Sequence, residues 1–262
     1  GQYARPDVVL MVNGIPLAVI ECKKSSVDVK EGVIQNVRNM GPDYIPHLFK
    51  YAQLVLAMNP NKVVYGTCGT SADYFVEWRE DDVDWQKNIC ESCSPDGRIL
   101  EQDRITASLL DKKRFLTLIH DYILYDSNIK KICRHQQFFA VENAMKRIDG
   151  LDQKDSTGGV IWHTQGSGKS LTMVMVSKYI LETMSALNPR VVIVTDRKEL
   201  DKQIAKTFAH TRLKPARATS GKHLLELINA GSADIITSII NKFNTVESCG
   251  LKNKSRDIFV FV

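Results

Sequence analysis

Gly158-Gly159-Val160-Ile161-Trp162-His163-Thr164-Gln165-Gly166-Ser167-Gly168-Lys169-Ser170 is the stretch from which the rest of the chain can be read. A short apolar run enters a Gly-Ser-Gly turn, Lys and Ser follow, and an apolar segment continues over residues 171–181. This order predicts a strand, a tight loop and a helix. Glycines let backbone N–H groups turn inward on a polyphosphate, and the helix N-terminus adds the positive end of its dipole. In such a loop Thr164, Gly166, Ser167 and Gly168 form the cradle. Lys169 can reach the β- and γ-phosphates of a nucleotide, and the Ser170 hydroxyl can ligate Mg²⁺. His163 stands where the strict G-x-x-x-x-G-K-[ST] pattern has its first glycine. The flanking strand and helix favour a nucleotide site over a glycine turn that only opens a helix.

Downstream, apolar runs alternate with helical patterns. Val191 to Val194 ends in Thr195-Asp196-Arg197, a helix follows over 199–208, and a second covers 222–230. Strands are expected at 235–237 and 258–262. Such alternation predicts an α/β architecture, a parallel sheet with helices on both faces. Ligands of these sheets sit at the carboxyl ends of strands, where His163, Asp196 and Thr237 fall. Asp196 and Arg197 have two readings, a helix cap with a solvent charge or a phosphate contact.

Upstream, Asp7 opens the apolar run 8–12, Asn13-Gly14 is a hairpin signal, and 17–20 leads into Glu21-Cys22-Lys23-Lys24. Two carboxylates can hold a divalent metal, and a nearby Lys can steady the phosphate under attack. The alternative is a solvated strand end. Register separates the two. An even two-residue turn pairs Val12 with Ile15 and sets Asp7 opposite Ile20, leaving Glu21 on the other face. One site for Asp7, Glu21 and Lys23 therefore requires a one-residue bulge or a longer connection, and Pro16 suits such an irregularity. A helix is expected over 28–40, with Val29, Val33, Ile34 and Val37 as its stripe and Gln35 on the flank. Strands are expected at 54–58, and as a pair at 63–67 and 74–78.

Residues 79–97 are acidic and polar and read as a surface excursion, and 111–125 as a packing helix. His120 reads as a surface or capping residue. Gln137, upstream of the phosphate loop, can pair with adenine as donor and acceptor at once, or serve an ordinary helix face.

Six cysteines among 262 residues, without paired zinc spacings, predict free thiols rather than a disulfide framework or metal site. A net charge of +5 mildly favours a polyanionic partner. No apolar run reaches the roughly 18 residues of a membrane span. A cytoplasmic protein is expected. The start without Met and the end inside an apolar run suggest a segment of a longer chain.

Trp162-His163-Thr164-Gln165-Gly166-Ser167-Gly168-Lys169-Ser170-Leu171-Thr172 resembles motif I of the motor (R) subunit of type I restriction-modification enzymes, a superfamily 2 helicase relative. His163 is characteristic of that family. Residues 135–141 are similar to its Q motif, with Gln137 as adenine reader, and 194–201 to motif Ia. Residues 236–243 resemble the next segment, with Asn241 replacing the usual Gln. Pro6-Asp7 and Glu21-Cys22-Lys23 resemble the PD-(D/E)xK nuclease signature, and Gln35 the first residue of a Gln-x-x-x-Tyr element whose Tyr is Asn39 here.

The resemblance implies a truncated PD-(D/E)xK-type nuclease domain at 1–100, lacking its first helix and strand. A helical connector with the Q motif follows at 101–150, then a partial RecA-like motor lobe at 151–262. Asp7, Glu21, Lys23 and Gln35 are the implied catalytic residues, with Asp7, Glu21 and Ser170 as metal ligands. ATP and Mg²⁺ are the implied cofactors. Double-stranded DNA and the modification (methyltransferase) and specificity subunits are the implied partners. An Asp-Glu-x-His motif and a second lobe are expected beyond Val262, so the chain alone should not turn over ATP. The implied activity is ATP-dependent DNA translocation coupled to endonucleolytic cleavage. Its rivals are a translocase with an inactive nuclease domain and a non-enzymatic ATP-binding scaffold.

Overall fold

Asn13 and Gly14 adopt left-handed φ angles of 49° and 80°, the two-residue turn that the Asn-Gly pair favours. This turn joins β1 (Val8–Val12) to β2 (Ile15–Cys22). In the computed structural model, which describes residues 3–94, 97–149, 158–230, 233–249 and 257–262, the hairpin is bulged. Val12 pairs with Ile15 and Met11 with Pro16, but Leu10 pairs with Ala18, so Leu17 is the extra residue. The shift puts Val8 opposite Ile20 and carries Asp7 alongside Glu21.

The chain divides into two compact units, Gly1–Leu124 with Ile129–Phe139, and Tyr125–Asn128 with Ala140–Val262. In the first, β2 runs parallel to β3 (Leu54–Asn59), which pairs antiparallel with β4 (Lys62–Gly66). All six residues of β3 are buried, as expected of a strand covered on both faces. Helix α1 (Val29–Asn39) starts at Asp28, whose side chain accepts from the Lys30 amide at 2.9 Å. It lies close to the sheet because residue 32 is glycine. A Cβ there would stand 3.1 Å from the Ala57 Cβ and 3.5 Å from the Glu21 Cβ. The inward face holds Val29, Gly32, Val33, Asn36 and Asn39, while Ile34 is 60% exposed, contrary to the expected stripe. Asn36 takes an inward place where its Nδ2 donates to the Leu56 carbonyl at 2.9 Å, while its buried Oδ1 has no hydrogen-bond partner.

The short α2 (Pro46–Phe49) precedes β3. The strand pair expected at 63–67 and 74–78 is reduced to one bridge, Tyr65 to Val76, because a 3₁₀ turn occupies Ala72–Tyr74. Where a surface excursion was expected lies α3 (Val83–Cys93), capped by Asp82 accepting from the Trp85 amide at 3.0 Å. Buried Gln86 donates to the Ser108 hydroxyl at 2.8 Å, tying α3 to α4 (Glu101–Leu110). Then follow α5 (Lys112–Asp121), the hairpin β5 (Ile123–Asp126) and β6 (Ile129–Ile132), and α6 (His135–Asp149). Cys22, Cys68, Cys90, Cys93 and Cys133 are free thiols. Among the described residues no helix is long and apolar enough to cross a membrane.

The second unit takes in α6 from Ala140 onward and then α7 (Lys169–Thr183). Then come β7 (Arg190–Thr195), α8 (Lys198–His210), β8 (Ala216–Arg217), α9 (Gly221–Ala230), β9 (Ile235–Ile239), α10 (Phe243–Cys249) and β10 (Ile258–Phe261). The four strands form an all-parallel sheet in the order β10-β7-β9-β8. Val192, Val194 and Ile236 pack against Leu224, Leu227 and Ile228 of α9 and Val246 of α10. The strand expected before the phosphate loop is not formed among the described residues. Residues 158–163 form no strand ladder, and Val160 and Trp162 are 89% and 90% exposed. Strand propensity without an adjacent edge yields no ladder hydrogen bonds, so the run stays irregular.

Gly32→Val tests the close approach of α1. Overpacking at this contact is expected to cost about 1–3 kcal/mol, outweighing the helix-propensity gain, and to lower the urea midpoint. An unchanged midpoint would show that α1 tolerates a larger separation from the sheet.

Candidate functional site

Glu21 is the penultimate residue of β2, its side chain fully buried, and three neighbours meet it. The bulge brings Asp7, whose Oδ2 accepts from the Cys22 amide at 2.8 Å and whose negative charge bears on Glu21. Two residues along the same strand face, the Lys23 ammonium lies 3.8 Å from Glu21 Oε2 and donates to Gln35 Oε1 at 2.7 Å. From α1, Asn39 Nδ2 donates to Glu21 Oε1 at 3.4 Å. Thus Asp7, Glu21, Lys23 and Gln35 come together as one cluster. Asn39, seen in the sequence only as a departure from a motif, joins them. Its signal was its position four residues after Gln35, which puts both on one helix face.

Burial, then the neighbouring Asp7 carboxyl, raise the Glu21 carboxyl to about 7, against the opposing charges of Lys23 and Arg38. Glu21 Oε2 has no hydrogen-bond partner although it is buried. Like-charged carboxylates and an unpartnered oxygen fit a hard divalent cation, which would offset the repulsion and supply the missing partner. Burial and the two carboxylates also push the Cys22 thiol up, which disfavours it as a nucleophile.

In the second unit, Gly166 and Gly168 take φ of 77° and 85°, and Gly168 caps α7 without any side-chain hydrogen bond. The Ser167 hydroxyl and amide both donate to the Thr164 carbonyl, at 2.7 and 3.3 Å, closing the loop. Lys169 Nζ folds back to the carbonyls of His163 and Thr164 at 3.1 and 3.0 Å. Ser170, half-buried, lies in the first turn of α7. Left-handed glycines, a helix start without a side-chain cap and a local ammonium fit an anionic polyphosphate.

Elsewhere the placement is plainer. Gln137 is buried, and its Oε1 accepts from the Arg134 amide at 2.9 Å, a structural use at the start of α6. Asp196 does not cap α8. It accepts from exposed Arg197 at 3.1 Å, and Arg197 itself holds the cap position. Asn241 is exposed in a 3₁₀ turn. His120 is exposed beside Asp121, as expected.

Two family descriptions match the chain. Residues 1–74 match the type I restriction enzyme R protein N terminus, and residues 136–262 match the SWI2/SNF2 ATPase. The chain therefore joins a restriction-enzyme N-terminal region to an ATPase region. It is similar to the MjaIXP type I restriction enzyme endonuclease subunit of Methanocaldococcus jannaschii, 30% identical over 258 residues, covering 93% of this chain and 24% of that protein. The HindI subunit of Haemophilus influenzae is 30% identical over 217 residues, covering 78% of this chain and 20% of that protein. The SauCOLORF180P subunit of Staphylococcus aureus is 28% identical over 246 residues, covering 91% and 24%. The chain belongs to the R (endonuclease) subunits of type I restriction enzymes. It spans about a quarter or less of the length of these relatives.

A carboxyl held near 7 in the folded chain and 4.5 when unfolded binds its proton more tightly in the native state. The stability it contributes is full below about pH 4.5 and is lost as pH rises through 7. Without divalent metal, the wild type should therefore lose stability relative to Glu21→Gln across that window, and saturating Mg²⁺ should stabilise only the wild type. Urea unfolding across pH reads both effects, and parallel curves for the two proteins would contradict the perturbed carboxyl.

Proposed function

We propose that the chain supplies the nuclease centre and the ATP-binding loop of a type I restriction enzyme, coupling ATP-driven translocation of double-stranded DNA to its cleavage. The observation that carries this reading is the convergence of Asp7, Glu21, Lys23 and Gln35 around one buried carboxylate. On this reading residues 1–100 are a PD-(D/E)xK-type nuclease domain, 101–150 a helical connector and 151–262 a RecA-like lobe.

Asp7 and Glu21 would hold Mg²⁺, which when bound polarises the phosphodiester and activates water. Gln35 fixes the Lys23 ammonium beside the carboxylates, where it can stabilise charge developing on the phosphate. Thr164, Gly166, Ser167, Gly168 and Lys169 would bind the phosphates of ATP, Ser170 its Mg²⁺, and Gln137 the adenine. The last role requires Gln137 to add base contacts to its helix-start bond. Sequence recognition would lie with a specificity subunit, methylation with a modification subunit, and the assembly in the cytoplasm. DNA contacts here would then be mainly to the backbone.

Asn39 in place of the motif's tyrosine favours one second reading, a translocase whose nuclease centre is silent. Glu21→Ala in the R subunit reassembled with its partner subunits distinguishes the two. It should abolish cleavage and spare DNA-stimulated ATPase, whereas cleavage at the wild-type rate would remove the nuclease assignment. Lys169→Ala should lower that ATPase about 10²–10³-fold. An R subunit with no DNA-stimulated ATPase at all would instead support an ATP-binding scaffold.

A further inference from the structure

Asn39 is wholly buried, and its amide has two chemically different ends. The Nδ2 end donates to Glu21 Oε1 at 3.4 Å. The Oδ1 end accepts from two nitrogens of one guanidinium, Arg38 Nε at 3.4 Å and an Arg38 terminal nitrogen at 3.3 Å. The Arg38 guanidinium also stands over the Tyr44 ring, 5.0 Å from its centroid, which restrains the fork. Arginine can only donate, and a carboxylate can only accept. With both neighbours present a single amide orientation satisfies both. The opposite orientation sets Oδ1 against the carboxylate and the NH₂ group against the guanidinium.

We infer that Arg38 and Asn39 form a positioning relay for the metal-binding carboxylate, in which Arg38 locks the Asn39 amide and the amide holds Glu21 Oε1, leaving Oε2 for the cation. The inference rests on the assignment of Glu21 as a metal ligand. Oε1 is engaged by the amide, whereas Oε2 has no hydrogen-bond partner and only the Lys23 ammonium at 3.8 Å. The relay explains how a carboxylate remains poised in a helix-covered position without a charged hydrogen-bond partner on the oxygen that must stay open. Partners behind a metal ligand set its orientation, and losing one commonly weakens metal affinity by about 10–100-fold.

Arg38 also makes the inference separable from simple electrostatics. A positive charge near a cation site repels the cation, so deleting it should tighten binding if Arg38 acts only through space. If Arg38 positions the amide, deleting it should weaken binding. Mn²⁺ titration calorimetry on the 262-residue chain measures this directly, with the thermal midpoint as a folding control.

Arg38→Leu and the charge-conserving Arg38→Lys are both expected to weaken Mn²⁺ binding, because a lysine lacks the planar fork. Asn39→Leu should weaken it about 10–100-fold, and the Arg38→Leu/Asn39→Leu double variant no further. Tighter binding in Arg38→Leu, or additive losses in the double variant, would overturn the relay. Arg38 is exposed, so its variants test the relay even if Asn39→Leu fails to fold. Wild-type Mn²⁺ affinity in Glu21→Gln would instead overturn the metal-ligand assignment beneath it.

Discussion

One extra residue in a hairpin governs the first unit. Without Leu17 as a bulge, Asp7 would face Ile20 and the two carboxylates would point to opposite sides of the sheet. The irregularity costs little where it occurs, since Pro16 has no N–H to withdraw from the ladder. The consequence propagates through Glu21. Its neighbour Asp7 comes from the bulged partner strand, Lys23 from its own strand, and Gln35 and Asn39 from a helix held close by Gly32. Remove the bulge and the helix still packs, but there is no pair of carboxylates for it to cover.

The arrangement is also unfavourable in itself. Burying a carboxylate beside another disfavours ionisation, and the cations nearby offset this only in part, which is why Glu21 stays near 7. An ordinary core would replace such a residue with an apolar one. Instead three polar groups meet it: an amide from Asn39, an ammonium from Lys23, a carboxyl from Asp7. Local stability has been exchanged for a site short of one positive charge, a pattern associated with functional centres.

How much of this was legible in the sequence follows from the range of the interactions. The pairing of Glu21 with Lys23 needs only a strand's period of two, and the bulge follows from asking what one site would demand of an Asn-Gly turn. Gln35 was legible as a helix flank. Asn39 was not, because a short polar residue at a helix end ordinarily reads as a terminus signal, and its partner is 18 residues away. Ile34 was misplaced because apolar periodicity cannot anticipate that Gly32 and Asn36 take the inward positions. Helix α3 was hidden by its acidic composition, although Asp82 is a conventional cap. The run at 160–163 has strand composition, but a strand in a parallel sheet depends on a distant neighbour that local sequence does not encode.

The two candidate sites carry opposite deficits. Around Glu21 the surplus is negative, and the oxygen without a hydrogen-bond partner calls for a cation. At the loop before α7 the surplus is positive. The helix start has no side-chain cap, and Lys169 donates to the carbonyls of His163 and Thr164. Two neutral carbonyls are weak partners for an ammonium compared with a phosphate, so a polyphosphate would draw Lys169 away at modest cost. Gly166 and Gly168 hold left-handed φ angles of 77° and 85°, and Gly168 gives the helix start no side-chain cap. A negative cluster in one unit and a positive loop in the other suit two ligands of opposite charge. On the function proposed above, metal-dependent phosphodiester chemistry in one unit and nucleotide binding in the other would account for both.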